Sequence, residues 1–239
     1  MISSFSTPNK QYELYTEKYI CNKFGLSEFF AKNMNDDLFL KGSSVLDVGC
    51  GAGPLGIFLA DQFECIVRGI DLNPQACFCC KKNILKYMLE NKFKVFHKDF
   101  SKMVLENDEL SKYDFIVANP PIDNHVKKET ITRYSENDYE NLDDESFAYL
   151  TNSWHTEDGR DLVDYIFLYA LDHLNANGSV VMVVCLMDCD SIDYVIEKGN
   201  KYSFEVRSII DGEILPESIG AELITKKPIK TFLVQFSRR

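Results

Sequence analysis

The sequence predicts an α/β fold in which a doubly wound, mostly parallel sheet is covered on both faces by helices. Three observations predict it. Residues Val45-Leu46-Asp47-Val48-Gly49-Cys50-Gly51-Ala52-Gly53-Pro54-Leu55-Gly56 read as a strand, a tight glycine turn and a helix start. From Lys41 to Ala118 short apolar runs alternate with helical patterns, the signature of parallel strands joined by crossover helices. The chain then closes with two strands and no long helix between them, which points to an antiparallel pair at one edge of the sheet.

Taken in order, residues from about Asn9 to Leu40 are read as two helices broken near Gly25. Tyr12, Tyr15 and Tyr19 stand at the spacing of one helix face, and the segment forms a helical cap over residues 1–40. Strands are expected at 44–49, 65–71, 93–97 and 113–118. Helices are expected at 54–62 and from Pro74, which suits a first helical turn, to about Glu90. Residues from about 122 to 159 break the rhythm with the acidic run Glu136–Glu145, and a connection this long reads as a lid or substrate-contacting insertion. Regularity returns with a helix at 160–174, strands at 179–187, 202–209 and 230–236, and a helix near 190–198. Residues 41–239 are taken as one domain carrying the insertion.

Composition bounds the function. The chain has 26 Lys and Arg against 37 Asp and Glu, a formal charge of −11, so its mean surface potential repels phosphate backbones and disfavours nucleic acid, although a local patch at Lys226, Lys227 and Lys230 could override the mean. No apolar run reaches the length of a membrane span and the N-terminus lacks a leader pattern, so a cytoplasmic location is expected. The eight cysteines lie mostly in apolar or helical segments, which favours reduced thiols. Cys77 and Cys80 form a C-x-x-C without a second pair at zinc spacing, so no metal is expected.

The glycine turn by itself leaves the ligand open. Gly51-Ala52-Gly53-Pro54-Leu55-Gly56 satisfies G-x-G-x-x-G, and Asp71, 20 residues after Gly51, stands where a dinucleotide fold places its ribose-binding acid. Three features favour another nucleoside. Asp47 sets a carboxylate beside the turn, better suited to an ammonium or sulfonium than to a pyrophosphate. Asp71, followed by Leu72 and Asn73, can take two ribose hydroxyls, and Asp99 with Phe100 offers an acceptor and a ring for an adenine. The most specific signal is Asn119-Pro120-Pro121 directly after the fourth strand, where an open parallel sheet presents its crevice. Two prolines there aim the Asn119 oxygen and the Pro120 carbonyl rigidly at one spot.

The segments Val45–Gly53, Gly69-Ile70-Asp71-Leu72-Asn73-Pro74 and Val117-Ala118-Asn119-Pro120-Pro121 resemble the motifs of class I S-adenosylmethionine-dependent methyltransferases, in particular the small-domain group of HemK-like glutamine methyltransferases and Asn-Pro-Pro-Tyr amino methyltransferases. Glu157-Asp158-Gly159-Arg160-Asp161-Leu162 resembles, more weakly, the acidic-glycine segment that opens the next helix in HemK-like enzymes. The resemblance implies a seven-stranded sheet with a reversed strand at its edge and S-adenosylmethionine as cofactor. It places Asp47, Gly49, Gly51 and Gly53 around the cofactor's methionine end, Asp71 and Leu72 at the ribose, and Asp99 and Phe100 at the adenine. Asn119 and Pro120 would hold the nitrogen to be methylated, with Pro121 and Ile122 facing the substrate. Ile122 departs from the pattern, which carries an aromatic ring there to stack on a flipped base. Only about 40 residues precede the first strand, fewer than a release-factor enzyme is expected to need. The expected acceptor is therefore an amide or amine nitrogen of a small molecule or a protein. A noncatalytic cofactor-binding subunit, motivated by Ile122, and a nicotinamide-dependent oxidoreductase stay as alternatives. His125, Trp154 and His155 in the insertion are candidates for substrate contact.

Overall fold

The structure is a computed structural model that describes residues 1–17, 23–34, 39–105, 112–120, 160–186, 192–218 and 227–239. The expected insertion with His125, Trp154 and His155, together with Pro121, Ile122, Tyr19 and Lys226, lies outside the described residues.

The chain opens with a hairpin, β1 (Ile2–Ser6) and β2 (Gln11–Tyr15), where a helix is expected. The reason is local: Tyr12 and Leu14 are buried while Gln11, Glu13 and Tyr15 face out, so the period is two and the spacing of the three tyrosines is incidental. The second expected helix is present as α1 (Gly25–Asn33).

There follow β3 (Ser44–Val48), α2 (Pro54–Gln62), β4 (Ile66–Asp71), α3 (Pro74–Lys86), β5 (Phe93–His97), α4 (Phe100–Leu105) and β6 (Tyr113–Ala118). After the insertion come α5 (Leu162–His173), β7 (Leu174–Cys185), α6 (Asp193–Lys201), β8 (Phe204–Ile214) and β9 (Ile229–Arg238). Several helices start where side chains satisfy the free amides of the first turn. The Asn73 oxygen accepts from Gln75 N at 2.9 Å ahead of Pro74, and Asp161 accepts from Asp164 N at 2.9 Å to open α5. The short helix α4 was not expected, although Asp99 is the capping residue type that could have signalled it.

The seven strands run in the order β5-β4-β3-β6-β7-β9-β8. All neighbours from β5 to β7 are parallel, and β9 is antiparallel to both β7 and β8. The antiparallel edge pair is thus present, but the reversed strand β9 lies one place inside the edge and β8 forms the rim. Burial explains the choice: β9 is apolar and covered along most of its length, whereas β8 is exposed at most positions. Alternate strand residues feed two cores. Val45, Val67, Val117 and Val181 face α1, α2, α3 and the hairpin; Leu46, Val48, Ile116, Val180 and Val234 face α4, α5 and α6.

Candidate functional site

Along the sheet the chain moves from β3 outward to β4 and β5, then returns to the other side of β3 for β6 and β7, so the strand order reverses between β3 and β6. At such a switch point the loops leave a crevice at the carboxyl ends of the strands. The register fixes what meets there. Val48 pairs with Ile70 and with Ala118, so Gly49, Asp71 and Asn119 leave the sheet side by side, each one residue later.

The glycine turn is tied to β4 through Gly49 N–H and Cys50 N–H, which both donate to the Ile70 carbonyl at 2.8 and 3.1 Å. Gly49 (φ +69°) and Gly51 (φ +55°) have left-handed torsions, and a Cβ at either would point into open space. These two therefore form the wall of a cradle. Gly53 (φ +89°) does not: its Cβ position lies 2.7 Å from Cys80 Sγ and 3.2 Å from the Phe93 ring. Of the three alternating glycines, the third presents its Cβ position to the core. The same ring lies 2.3 Å from a Cβ at Gly56 and 2.9 Å from one at Gly69, so Phe93 rests on three glycines at once. Their want of side chains lets α2 and α3 close on the sheet beneath the cradle.

Asp47 points from β3 to the start of α2, where its Oδ2 accepts from Gly56 N–H at 3.1 Å. Gly53 has no side chain to cap this helix, and the acid of the neighbouring strand takes the role. Only 1% of Asp47 is exposed; burial pushes its carboxyl up to about 7, with Gly56 N–H opposing and the nearby Asp71 charge adding to the rise. Asp71 spans the loop below: Oδ2 accepts from Gly51 N–H and Oδ1 from Asn73 N–H, both at 2.8 Å. Burial raises its carboxyl pKa against those two bonds. Leu72 is half-buried, and its carbonyl bonds a ring nitrogen of His97 at 2.8 Å.

Asp99 serves as the cap of α4, its Oδ1 accepting from Ser101 N–H at 3.0 Å and Ser101 Oγ at 2.7 Å, with Oδ2 left toward Lys102 Nζ at 3.8 Å. The Phe100 ring is not free to stack on a base. It is buried in the core edge-on to Tyr169, with ring centroids 5.2 Å apart. Asn119 is half-buried and Pro120 buried at the end of β6, level with the cradle. The Cys77 thiol donates weakly to the Asp71 and Phe96 carbonyls, both at 3.6 Å. Among the described residues no group of three or more acidic, His or Cys side chains could hold a metal.

A family model described as the methyltransferase small domain matches residues 25–142, which contain the cradle, Asp71, Asp99 and Asn119. Over that stretch, just under half of the chain, it is similar to the small-domain methyltransferases. Its relatives include the tRNA1(Val) (adenine(37)-N6)-methyltransferase of Parabacteroides distasonis, 38% identical over 77 residues that make up 32% of each chain. The release factor glutamine methyltransferase of Fusobacterium nucleatum is 26% identical over 170 residues, covering 70% of this chain and 43% of that one. The chain thus spans about a third to less than half of the length of these curated relatives. In fold it is similar to the T. thermophilus 16S rRNA N2 G1207 methyltransferase solved with AdoMet and guanosine, with a TM-score of 0.57 and 15% identity, over 100% of this chain and 50% of that chain.

The match to a methyltransferase family model over the glycine turn and Asp71 weighs against the dinucleotide reading. The expectation that nucleic acid is disfavoured loses its support: a tRNA methyltransferase stands among the relatives, and a formal charge of −11 describes the mean of a surface rather than the rim of one crevice. Among the described residues no helix is long and apolar enough to cross a membrane. The residue that motif reading missed is Asn83 on α3, which is fully buried and bonded to the cradle; a polar residue among Cys79, Cys80 and Ile84 on a helix was its only trace.

Proposed function

We propose that this chain transfers the methyl group of S-adenosylmethionine to a planar amino nitrogen, an amide or an exocyclic amine. The observation that carries the reading is the register at the switch point, which sets Gly49, Asp71 and Asn119 side by side at the carboxyl end of the sheet. The open space beyond Gly49 and Gly51 fits a ligand that approaches the backbone, and the buried Asp47 carboxyl suits its α-ammonium group. Asp71 keeps lone pairs for ribose hydroxyls beyond its two loop bonds. Leu72 offers apolar surface to the adenine, Asp99 an acceptor through Oδ2, and Phe100 its backbone rather than its ring.

When bound, S-adenosylmethionine supplies an electrophilic methyl group on a sulfonium. The chain supplies placement. The Asn119 side-chain oxygen and the Pro120 carbonyl accept hydrogen bonds from the two N–H bonds of the acceptor, which turns the nitrogen lone pair out of conjugation and toward the methyl group. Adenine N6 and the glutamine amide, named in two relatives, are both amino groups conjugated to a π system, so one pair of acceptors serves either.

Calorimetry with S-adenosylmethionine, followed by labelled methyl transfer to an RNA panel and to glutamine-containing peptides, tests the reading. Asn119→Ala should keep cofactor affinity within a few-fold while turnover falls by about a hundredfold or more, the scale of losing oriented approach. Wild-type turnover in that variant removes Asn119 from the reaction, and a wild-type chain that does not bind the cofactor overturns the whole reading.

A further inference from the structure

Ala52 lies between Gly51 and Gly53, whose torsions are +55° and +89°; Asp71 holds the Gly51 N–H at 2.8 Å and the Cys50 carbonyl holds the Gly53 N–H at 2.9 Å, which leaves the Ala52 carbonyl to be fixed from outside the turn. A cradle built on backbone atoms must nevertheless hold still, because each amide plane that wanders costs ordering entropy when a ligand binds. For the Ala52 carbonyl the restraint comes from α3. Asn83, fully buried, donates through Nδ2 to the Ala52 carbonyl at 2.9 Å and to the Tyr15 carbonyl at 3.0 Å, while its Oδ1 accepts from Tyr15 N–H at 2.6 Å. A buried amide is costly unless bonded, and this one uses both donors and one acceptor site on only two residues. One of these is the last residue of β2; the other is the middle of the cradle.

We infer that Asn83 is a positioning residue for the cofactor cradle, and that it couples the shape of the Gly51–Gly53 turn to the seating of the N-terminal hairpin. The inference rests on the proposed cofactor reading for its functional half. The hairpin has other anchors, Tyr87 Oη accepting from Glu13 N–H at 2.7 Å and Lys86 Nζ donating to the Glu13 carbonyl at 2.7 Å, so loss of Asn83 should loosen the cradle without releasing the hairpin from α3.

The test uses the full chain with Asn83→Leu, which fills the volume without bonding, and Asn83→Ala in case leucine does not fold. S-adenosylmethionine and S-adenosylhomocysteine should both bind about tenfold more weakly, the equivalent of one lost buried hydrogen bond, because the wall is disturbed and not the methyl position. Amide hydrogen exchange should quicken at 50–53 and 11–16 while β7 and β9 stay protected. Lys86→Ala, a change to the hairpin anchor alone, should quicken 11–16 most and 50–53 to a smaller degree, through the Asn83 bonds they share. Affinities within twofold of wild type, or exchange that rises evenly across β7 and β9, would overturn the inference by reducing Asn83 to a general core residue. If wild type binds neither nucleoside, the cofactor reading fails, and the exchange pattern still decides whether Asn83 holds the turn.

Discussion

Replacing Asp47 by asparagine should make the ligand-free protein more stable at pH 8 and change it little at pH 4. Burial holds the Asp47 carboxyl at about 7 in the folded chain against an ordinary value of 3.8. The folded pKa is raised, so the carboxyl's favourable contribution is complete below about pH 4 and is lost as pH climbs through 7. In the unfolded chain the acid ionises freely from about pH 4 upward, and the folded chain forgoes that gain until about pH 7. The cost is roughly 1.5 kcal/mol at pH 5 and roughly 4 kcal/mol at pH 8, at 1.36 kcal/mol for each pH unit of the gap. Asparagine keeps an oxygen for Gly56 N–H and never charges. Urea unfolding of both proteins should therefore show a stability difference that widens by about 2.5 kcal/mol between pH 5 and 8. The difference measurement cancels the other titrating groups. A gap that stays flat over this range would show that Asp47 is already ionised in the fold and would refute the reasoning. On the proposed function the gain in stability comes with a loss of cofactor affinity, since the ammonium group loses its counter-charge. A wild-type chain that takes up the cofactor near pH 6 should also release a proton, which calorimetry in buffers of different ionisation enthalpy detects.

Two further predictions concern the frame. Asp164 of α5, almost wholly buried, is bonded by Lys198, Lys201 and Tyr202 of the α6 segment; burial raises its pKa, but those bonds prevail and hold it at about 2. Its contribution is therefore present above about pH 4 and lost as pH falls toward 2, and Asp164→Ala, which leaves Lys198 only the Asp161 carboxylate at 3.2 Å, should cost roughly 2–3 kcal/mol in denaturant titration at pH 7. Gly56→Ala would set a methyl 2.3 Å from the Phe93 ring and should destabilise by roughly 1–3 kcal/mol, whereas Phe93→Leu in the same background should recover part of that loss by making room.

How far the fold could be read depended on whether a segment's pattern was local. The strand boundaries at 93–97 and 113–118 and the helix at 54–62 agree with expectation because apolar runs flanked by glycine, proline or polar turns carry their own limits. The hairpin was misread because its five-residue strands are too short for periodicity to separate two from 3.6 when tyrosines recur nearby. The position of β9 inside the rim was illegible, since strand order within an antiparallel pair depends on which strand has the more continuous apolar face against β7. At the site, Gly49, Gly51, Asp71 and Asn119 stand together because each ends or follows a strand of the parallel core. Gly53 and Phe100 carry the motif's residue types yet face inward, a distinction made by Cys80, Phe93 and Tyr169 rather than by anything adjacent in sequence. Asp99 shows the same limit, for part of its carboxyl is engaged by the helix it starts.

The placement of β9 also orders events on the ribosome. Among the described residues β8 pairs with no strand but β9, and β9 joins the sheet along β7, so within that set residues 204–214 have no ladder to enter until residues 229–238 have emerged. Until then β7 is the open margin of a growing parallel sheet and offers its Ser179–Cys185 ladder to any extended chain nearby. The crevice strands β3, β4 and β6 are synthesised well before this point. Capture of β9 by β7 is thus the step that converts a nascent sheet able to recruit foreign strands into one whose margin is the exposed β8, interrupted by the charges of Glu205, Arg207, Asp211 and Glu213, and slow translation just before residue 229 would lengthen the interval of greatest aggregation risk.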